Sequence, residues 1–126
     1  MKLRSLLTAS LLLAGAALAQ ALEVKPYTAA ALAQAQAANQ PVALHFHADW
    51  CPTCRAQEKA LQSLKSDPAL DLTVLVANYD TEKDLKRRFN VRAQSTLVVL
   101  HGPKESARLV GETGAAPIRA ALKSAL

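Results

Sequence analysis

The stretch HFHADWCPTC, residues 45–54, decides how the rest of the chain is interpreted. It contains both cysteines of the chain, its single tryptophan and two of its three histidines. Cys51 and Cys54 are separated by two residues, and a disulfide across so short a loop removes little entropy from the unfolded chain. The pair is therefore a poor structural crosslink, and its spacing indicates reversible redox chemistry or metal binding.

The residues around the pair predict a strand over 42–48 and a helix over 52–66. Cys51 then lies where the strand ends and the helix begins, and the free N–H groups and positive dipole end stabilise a thiolate there. Cys54 follows one turn later, with its thiol further inside. We therefore expect Cys51 to attack the disulfide of a partner and Cys54 to resolve the mixed disulfide.

The rest of the chain alternates helices and strands and then ends in a hairpin and a helix. This order predicts an α/β domain with a mixed central sheet of four to five strands and helices on both faces. Residues 81–84 resemble a capping box. The other predicted elements are helices over 28–39 and 81–89, strands over 71–79, 96–101 and 107–110, and a last helix from Pro117.

Residues 1–19 differ in composition from the rest of the chain. They begin with two basic residues, continue as an apolar run and end in small residues, which predicts a secretory signal peptide cleaved after Ala19 or Ala21. An uncleaved membrane anchor is the alternative, but the apolar run is short for a span of about 20 residues. The pattern is typical of bacterial signals, so we expect a periplasmic or secreted protein. Residues 20–126 remain as a single domain.

The charge distribution gives no sign of a nucleic-acid partner. The net charge is +5, and residues 1–19 contain two of the 15 basic residues, so the remainder carries +3. The basic residues are scattered apart from the cluster 86–88, and no aromatic residues are interleaved with them. We expect this cluster to be a solvated helix face.

The chain resembles the thioredoxin family over nearly all of residues 20–126. Residues 42–54 resemble the family's strand and active-site motif, and residues 78–80 resemble the end of its next strand. Residues 91–97 resemble the segment that carries the family's cis-proline, and Gly111 matches the glycine after the last strand. The resemblance implies a thioredoxin fold and a protein-disulfide oxidoreductase that uses no cofactor beyond its redox-active disulfide.

Segments 48–51, 54–58 and 66–68 are particularly similar to the periplasmic thioredoxin-like domain of the thiol:disulfide interchange transmembrane reductase. This similarity favours a reductant that acts on the thiols and disulfides of protein partners, with a membrane protein as electron donor. We expect the chain to be a monomer. The family's substrate groove implies partner contacts at Trp50, Pro52, Gln94, Ser95 and Gly111.

The cis-proline position of the family holds Ser95 in this chain. A cis Gln94–Ser95 bond costs about 2.5–4 kcal/mol, so a trans bond is the alternative. Ser95 also adds a hydroxyl close to the sulfurs. We expect slower release of mixed disulfides or an altered choice of partners.

Both histidines of the opening stretch also depart from the family. His45 and Val76 occupy positions where the family often has a buried aspartate and its lysine, so His45 is either the base for Cys54 or a neutral core histidine. Glu58 is a second candidate proton carrier, or an exposed helix glutamate. A protonated His47 would stabilise the Cys51 thiolate and make the pair more oxidising, and the alternative is a packing residue at the site's edge.

Two further functions fit the same residues. His47, Cys51 and Cys54, with His45, form an H-x-H-x3-C-x2-C set whose ligands suit zinc or copper, which predicts a periplasmic metal-binding or metal-delivery module. Against a metal site, the strand directs both histidines to a face that is covered. A domain that binds partners without catalysis is the other alternative, and the intact cysteine pair argues against it.

Overall fold

The computed structural model describes residues 21–126, and the predicted signal peptide lies outside these residues. Within them, no helix combines the length and the apolar character needed to cross a membrane. The elements in chain order are β1 (Glu23–Pro26), α1 (Ala29–Ala37), β2 (Pro41–His47), α2 (Pro52–Ser63), β3 (Thr73–Asn78), α3 (Lys83–Arg88), β4 (Thr96–His101), β5 (Lys104–Val110) and α4 (Ala115–Lys123).

The five strands form one mixed sheet in the order β1-β3-β2-β4-β5. The pairs β1–β3 and β2–β3 are parallel, and the pairs β2–β4 and β4–β5 are antiparallel. The predicted mixed sheet is thus confirmed, with β2 at its centre. Because β2 leads directly into α2, the end of the central strand places the cysteine pair at one edge of the sheet.

Alternation along β2 separates the two halves of the core. Ala43 packs with α2 and α4 on one face of the sheet, where Leu61 and Leu122 are buried. Val42 and Leu44 pack on the other face, in a cluster that also includes Leu32 of α1, Phe46 of β2 and Leu85 of α3. Helices therefore cover both faces, as the alternating pattern predicts.

Two local predictions were wrong. Strand β1 was not predicted, because it has four residues at the edge of the sheet, none of them buried, and shows no alternation. The capping box over residues 81–84 does not form. Glu82 is the residue before α3 and makes no side-chain cap hydrogen bond. The carboxamide of Asn78 accepts hydrogen bonds from the N–H groups of Asp80 and Thr81 instead, so a turn precedes the helix.

Candidate active site

Cys51 is the residue that caps the N-terminus of α2. Its backbone is extended, with φ −97° and ψ 111°, and its Sγ accepts a hydrogen bond of 3.1 Å from the N–H of Cys54. Pro52 occupies the first turn of the helix, where no hydrogen bond is lost. The structure therefore places the Cys51 sulfur at the positive end of a twelve-residue helix, as the sequence predicts.

The two sulfurs differ in their surroundings. Both cysteines are buried, but Cys51 keeps an exposed fraction of 2% whereas Cys54 has none. The hydroxyl of Ser95 lies between them, with its Oγ 3.2 Å from the Sγ of Cys51 and 3.1 Å from the Sγ of Cys54. A hydroxyl has one proton to donate, so it can donate to one sulfur while it accepts from the other.

The same contacts move the pKa values of the two thiols in opposite directions. Desolvation opposes ionisation of Cys51, but hydrogen bonds from Cys54, Ser95 and backbone N–H groups outweigh it and lower the pKa of this thiol. Burial raises the pKa of Cys54, and its hydrogen bond with Cys51 raises it further. Cys51 is thus the thiol that ionises more readily and Cys54 the one that keeps its proton more firmly, which is the order that attack and resolution require.

The segment before β4 holds Ser95 in an unusual backbone conformation. Its peptide bonds are trans, and its φ of 62° lies in the left-handed region, which costs a serine about 1–2 kcal/mol. Backbone hydrogen bonds compensate for this cost. The N–H of Ser95 donates to the carbonyl of Phe46 at 3.0 Å, and its carbonyl accepts from the N–H of Gly111 at 3.0 Å.

His45 is buried in the sheet beneath the cysteine pair. Its Nε2 lies 2.9 Å from the Oε1 of Gln57, and its Nδ1 is buried without a hydrogen-bond partner. Burial lowers the pKa of His45 to about 4, against the smaller opposing effect of the Gln57 hydrogen bond. The ring is therefore uncharged at neutral pH and has the surroundings of a core histidine. Its proposed role as a base for Cys54 stays a prediction.

His47 lies at the open end of the same strand, beside two carboxylates. Its Nδ1 is 3.6 Å from the Oδ1 of Asp49, and its Nε2 is 3.5 Å from the Oε2 of Glu58. The second contact has an ion-pair distance without hydrogen-bond geometry. The rings of His45 and His47 meet edge to face, with their centroids 5.5 Å apart. Glu58 therefore faces the imidazole of His47, and its role as a proton carrier stays a prediction.

A family model described as thioredoxin matches residues 23–124. The chain belongs to the thioredoxin family. It is similar to thioredoxin of Mycobacterium bovis, with 32% identity over 80 residues that cover 64% of this chain and 69% of that protein. It is also similar to thioredoxin H2 of Arabidopsis thaliana, with 32% identity over 73 residues that cover 58% of this chain and 54% of that protein.

A solved structure, Trxlp from Edwardsiella tarda, resembles most of the chain. Its TM-score is 0.75 and its sequence identity 42%, and the match covers 79% of this chain and 98% of that chain. The thioredoxin fold expected from the sequence is confirmed by this match and by the family model. With both cysteines of the pair in place, the chain is a thioredoxin-like thiol–disulfide oxidoreductase whose electrons are carried by the dithiol itself.

The residues that the thioredoxin resemblance assigns to partner contact lie around the dithiol. Trp50 is 58% exposed, and its indole N–H donates a 2.8 Å hydrogen bond to the Oδ2 of Asp80. Gly111 has a φ of 71°, and an added Cβ there would meet no atom within 4 Å, so the backbone conformation and not a lack of space favours glycine. Pro52 is exposed and Gln94 is half-buried. Partner binding by these residues stays a prediction.

The structure does not support the alternative metal site on Cys51, Cys54 and His47. Among residues 21–126, no three histidine, cysteine, aspartate or glutamate side chains are grouped so that they could hold a metal ion. The imidazole of His47 faces Asp49 and Glu58. The hydroxyl of Ser95 is the group that bridges the two sulfurs.

The sequence interpretation missed Gln57, which donates from its Nε2 to the carbonyls of Ser95 and Glu112, both at 2.9 Å. A signal for Gln57 was present. It shares the inner face of α2 with Cys54 and Leu61, and a polar residue on an otherwise apolar helix face requires a buried partner.

Proposed function

We propose that this chain is an exported reductant of disulfides in partner proteins. The asymmetry of the two sulfurs is the observation that carries the reaction: a thiol with a lowered pKa at a helix N-terminus and a fully buried thiol with a raised pKa behind it. The similarity of segments 48–51, 54–58 and 66–68 to the periplasmic thioredoxin-like domain of the transmembrane reductase supports the direction. A membrane protein is then the donor that returns the pair to the dithiol.

The exchange proceeds in two steps. The Cys51 thiolate attacks one sulfur of the partner's disulfide, forms a mixed disulfide, and releases the partner's other sulfur as a thiolate that takes up a proton. Cys54 then loses its proton and attacks the Sγ of Cys51. The mixed disulfide breaks, and the partner leaves with two thiols while Cys51 and Cys54 form a disulfide. The partner has gained two electrons and two protons.

The surroundings of His47 support a reductant over an oxidant. An oxidant of this kind requires a strongly stabilised Cys51 thiolate, because that favours the reduced state of the pair. A charged imidazole at His47 would supply such stabilisation. However, Asp49 and Glu58 lie at ion-pair distances from its two ring nitrogens, so their negative charges offset a positive charge there.

The reduction potential of the metal-free protein without residues 1–19 tests the direction. The protein is equilibrated in glutathione buffers, free thiols are alkylated, and the oxidised fraction is read by mass. We expect a midpoint near that of thioredoxin, about −270 mV. A midpoint towards about −120 mV would mean an oxidant and would overturn the proposal. A Cys54→Ser variant is the control, because it cannot form the internal disulfide.

The export proposal rests on residues 1–19 and has a separate test. The full chain is expressed in a bacterium, the periplasmic, cytoplasmic and medium fractions are separated, and the mass of the protein in each is measured. We expect a shortened protein that begins after Ala19 or Ala21, in the periplasm or the medium. Full-length protein confined to the cytoplasm would contradict export without affecting the proposed reaction.

A further inference from the structure

Gln57 is a buried polar residue that contacts three different parts of the site. Its exposed fraction is 2%, and it lies on the inner face of α2 between Cys54 and Leu61. Its Oε1 lies 2.9 Å from His45 on β2. Its Nε2 lies 2.9 Å from the carbonyl of Ser95 before β4 and 2.9 Å from the carbonyl of Glu112 after β5.

The orientation of this amide follows from the chemistry of its neighbours. The carbonyls of Ser95 and Glu112 can only accept hydrogen bonds, so the NH₂ group of Gln57 must face them. Its Oε1 then faces the Nε2 of His45, and an oxygen of an amide can only accept. The neutral ring of His45 must therefore carry its proton on Nε2. All three hydrogen-bonding positions of Gln57 that face the site are satisfied.

The contact with Gln57 is one of three hydrogen bonds that hold the backbone of Ser95. The N–H of Ser95 is bonded to Phe46, and its carbonyl accepts from both Gly111 and Gln57. With both ends of the residue held, the left-handed backbone at φ 62° directs the short side chain between the sulfurs. Without these backbone hydrogen bonds, φ would relax to the ordinary region and the hydroxyl would move away from the sulfurs.

We propose that Gln57 is a positioning residue for the dithiol: it holds the Ser95 hydroxyl between Cys51 and Cys54, and His45 donates a hydrogen bond to the oxygen of the Gln57 amide. The inference deepens the dithiol exchange described above. It assigns His45 a structural part in the site that requires no proton transfer to Cys54. It also links the loops before β4 and after β5 through one side chain.

The first test measures the thiolate of Cys51 in the reduced protein without residues 1–19, by ultraviolet titration and by its alkylation rate below its pKa. We expect Gln57→Met, which keeps the side-chain length, to lower the alkylation rate about three- to tenfold and to move the titration to higher pH. Leu64→Ala, at the end of the same helix and remote from Ser95, is the control for lost stability and should leave both readings unchanged.

A double-variant comparison separates positioning from general destabilisation. If Gln57 acts through the hydroxyl, the double variant Gln57→Met with Ser95→Ala alkylates at the rate of Ser95→Ala alone. Independent, additive effects of the two substitutions would overturn the inference. So would an unchanged titration in Gln57→Met. These readings use no partner protein, so a failure of the proposed reductase function would appear separately, in the reduction potential.

The wild-type protein supplies a test that does not depend on a variant folding. Nitrogen NMR shifts of His45 at neutral pH should show a proton on Nε2 and a bare Nδ1. The opposite tautomer would mean that the ring does not donate to Gln57, and it would contradict the proposed hydrogen bonding of Gln57. Side-chain amide protons of Gln57 should also exchange slowly with solvent, whereas rapid exchange would contradict the two contacts with carbonyls.

Discussion

Two regions flank the cysteine pair, and each contains a histidine, in very different surroundings. One region, the buried bracket, consists of His45, Gln57 and Ser95, and none of these three side chains carries a charge at neutral pH. The charged rim contains His47 between Asp49 and Glu58, and Glu58 is half exposed. His45 and His47 lie two residues apart on the same side of β2. Their surroundings, rather than their identity, decide that one is kept neutral in the core and the other faces carboxylates.

The comparison indicates which groups control the ionisation of Cys51. Charges at the rim are exposed to water and salt, so their effect on Cys51 is small. Hydrogen bonds in the bracket are desolvated and directed at the sulfurs, so each has a larger effect. We therefore expect variants of the bracket to change stability and thiol chemistry strongly, and variants of the rim to change them weakly.

The largest effect should be the pH dependence of stability contributed by His45. Its pKa is about 4 in the folded protein and about 6.5 in the unfolded chain, so between these values the unfolded chain binds more protons. The contribution of His45 to the free energy of unfolding is therefore fully present above about pH 6.5. It decreases as the pH falls towards 4, by up to about 3 kcal/mol.

Chemical denaturation across this pH range measures the effect of His45. His45→Asn should flatten the pH dependence between pH 4 and 6.5, because no titrating ring remains. Leu64→Ala, which removes part of a buried side chain without a titrating group, is the control and should leave the slope close to that of the wild type. Equal slopes in the wild type and His45→Asn would break the comparison between the two histidines.

The next effect should come from Ser95→Pro, which restores the residue type of the thioredoxin family. Proline requires φ near −65°, whereas Ser95 has φ 62°, and proline removes the N–H that donates to Phe46. We expect a loss of about 2 kcal/mol or more in the free energy of unfolding, measured by denaturation. A variant as stable as the wild type would show that the segment accepts another backbone conformation.

The same variant tests whether Ser95 slows the release of mixed disulfides. Rates of exchange with a protein disulfide should increase in Ser95→Pro if the serine delays release. Unchanged exchange rates would contradict that expectation. Ser95→Gly is the control, because glycine tolerates the left-handed backbone without supplying the hydroxyl or the ring.

A smaller effect is expected when only the hydroxyl of the bracket is removed. In Ser95→Ala, the Cys51 thiolate loses one of the hydrogen bonds that lower its pKa, so this pKa should rise. Ultraviolet titration of the reduced protein gives this value. Ser106→Ala removes a hydroxyl that bonds Ser124, away from the dithiol, and should leave the titration unchanged. An unshifted pKa in Ser95→Ala would mean that Cys54 and the backbone N–H groups stabilise the thiolate without the hydroxyl.

The smallest effect is expected at the rim. Glu58→Gln removes one of the two carboxylates beside His47, but that glutamate is half exposed and is screened by salt. We expect less than about a twofold change in the alkylation rate of Cys51, confined to low ionic strength. A tenfold change would place the control of the thiolate at the rim and would reverse the comparison.

The chain order of residues was enough to predict most of the fold. Alternation over residues 42–48 predicted strand β2, and helical spacing predicted helices α2 and α4, because burial repeats with the period of each element. The strand-to-helix junction placed Cys51 at a helix N-terminus for the same local reason. Strand β1 lacked such a signal, since its four residues gain their hydrogen bonds only by pairing with β3.

The buried bracket was decided by the tertiary structure alone. Gln57 and Ser95 are separated by 38 positions along the chain, and no local pattern specifies which carbonyl an amide on an inner helix face will meet. The left-handed backbone of Ser95 likewise depends on Phe46 and Gly111, which come from other elements. A dithiol at the start of a helix could be predicted from the sequence. Only packing decided which groups surround its sulfurs, because hydrogen bonds between distant residues exist only once the sheet has brought them together.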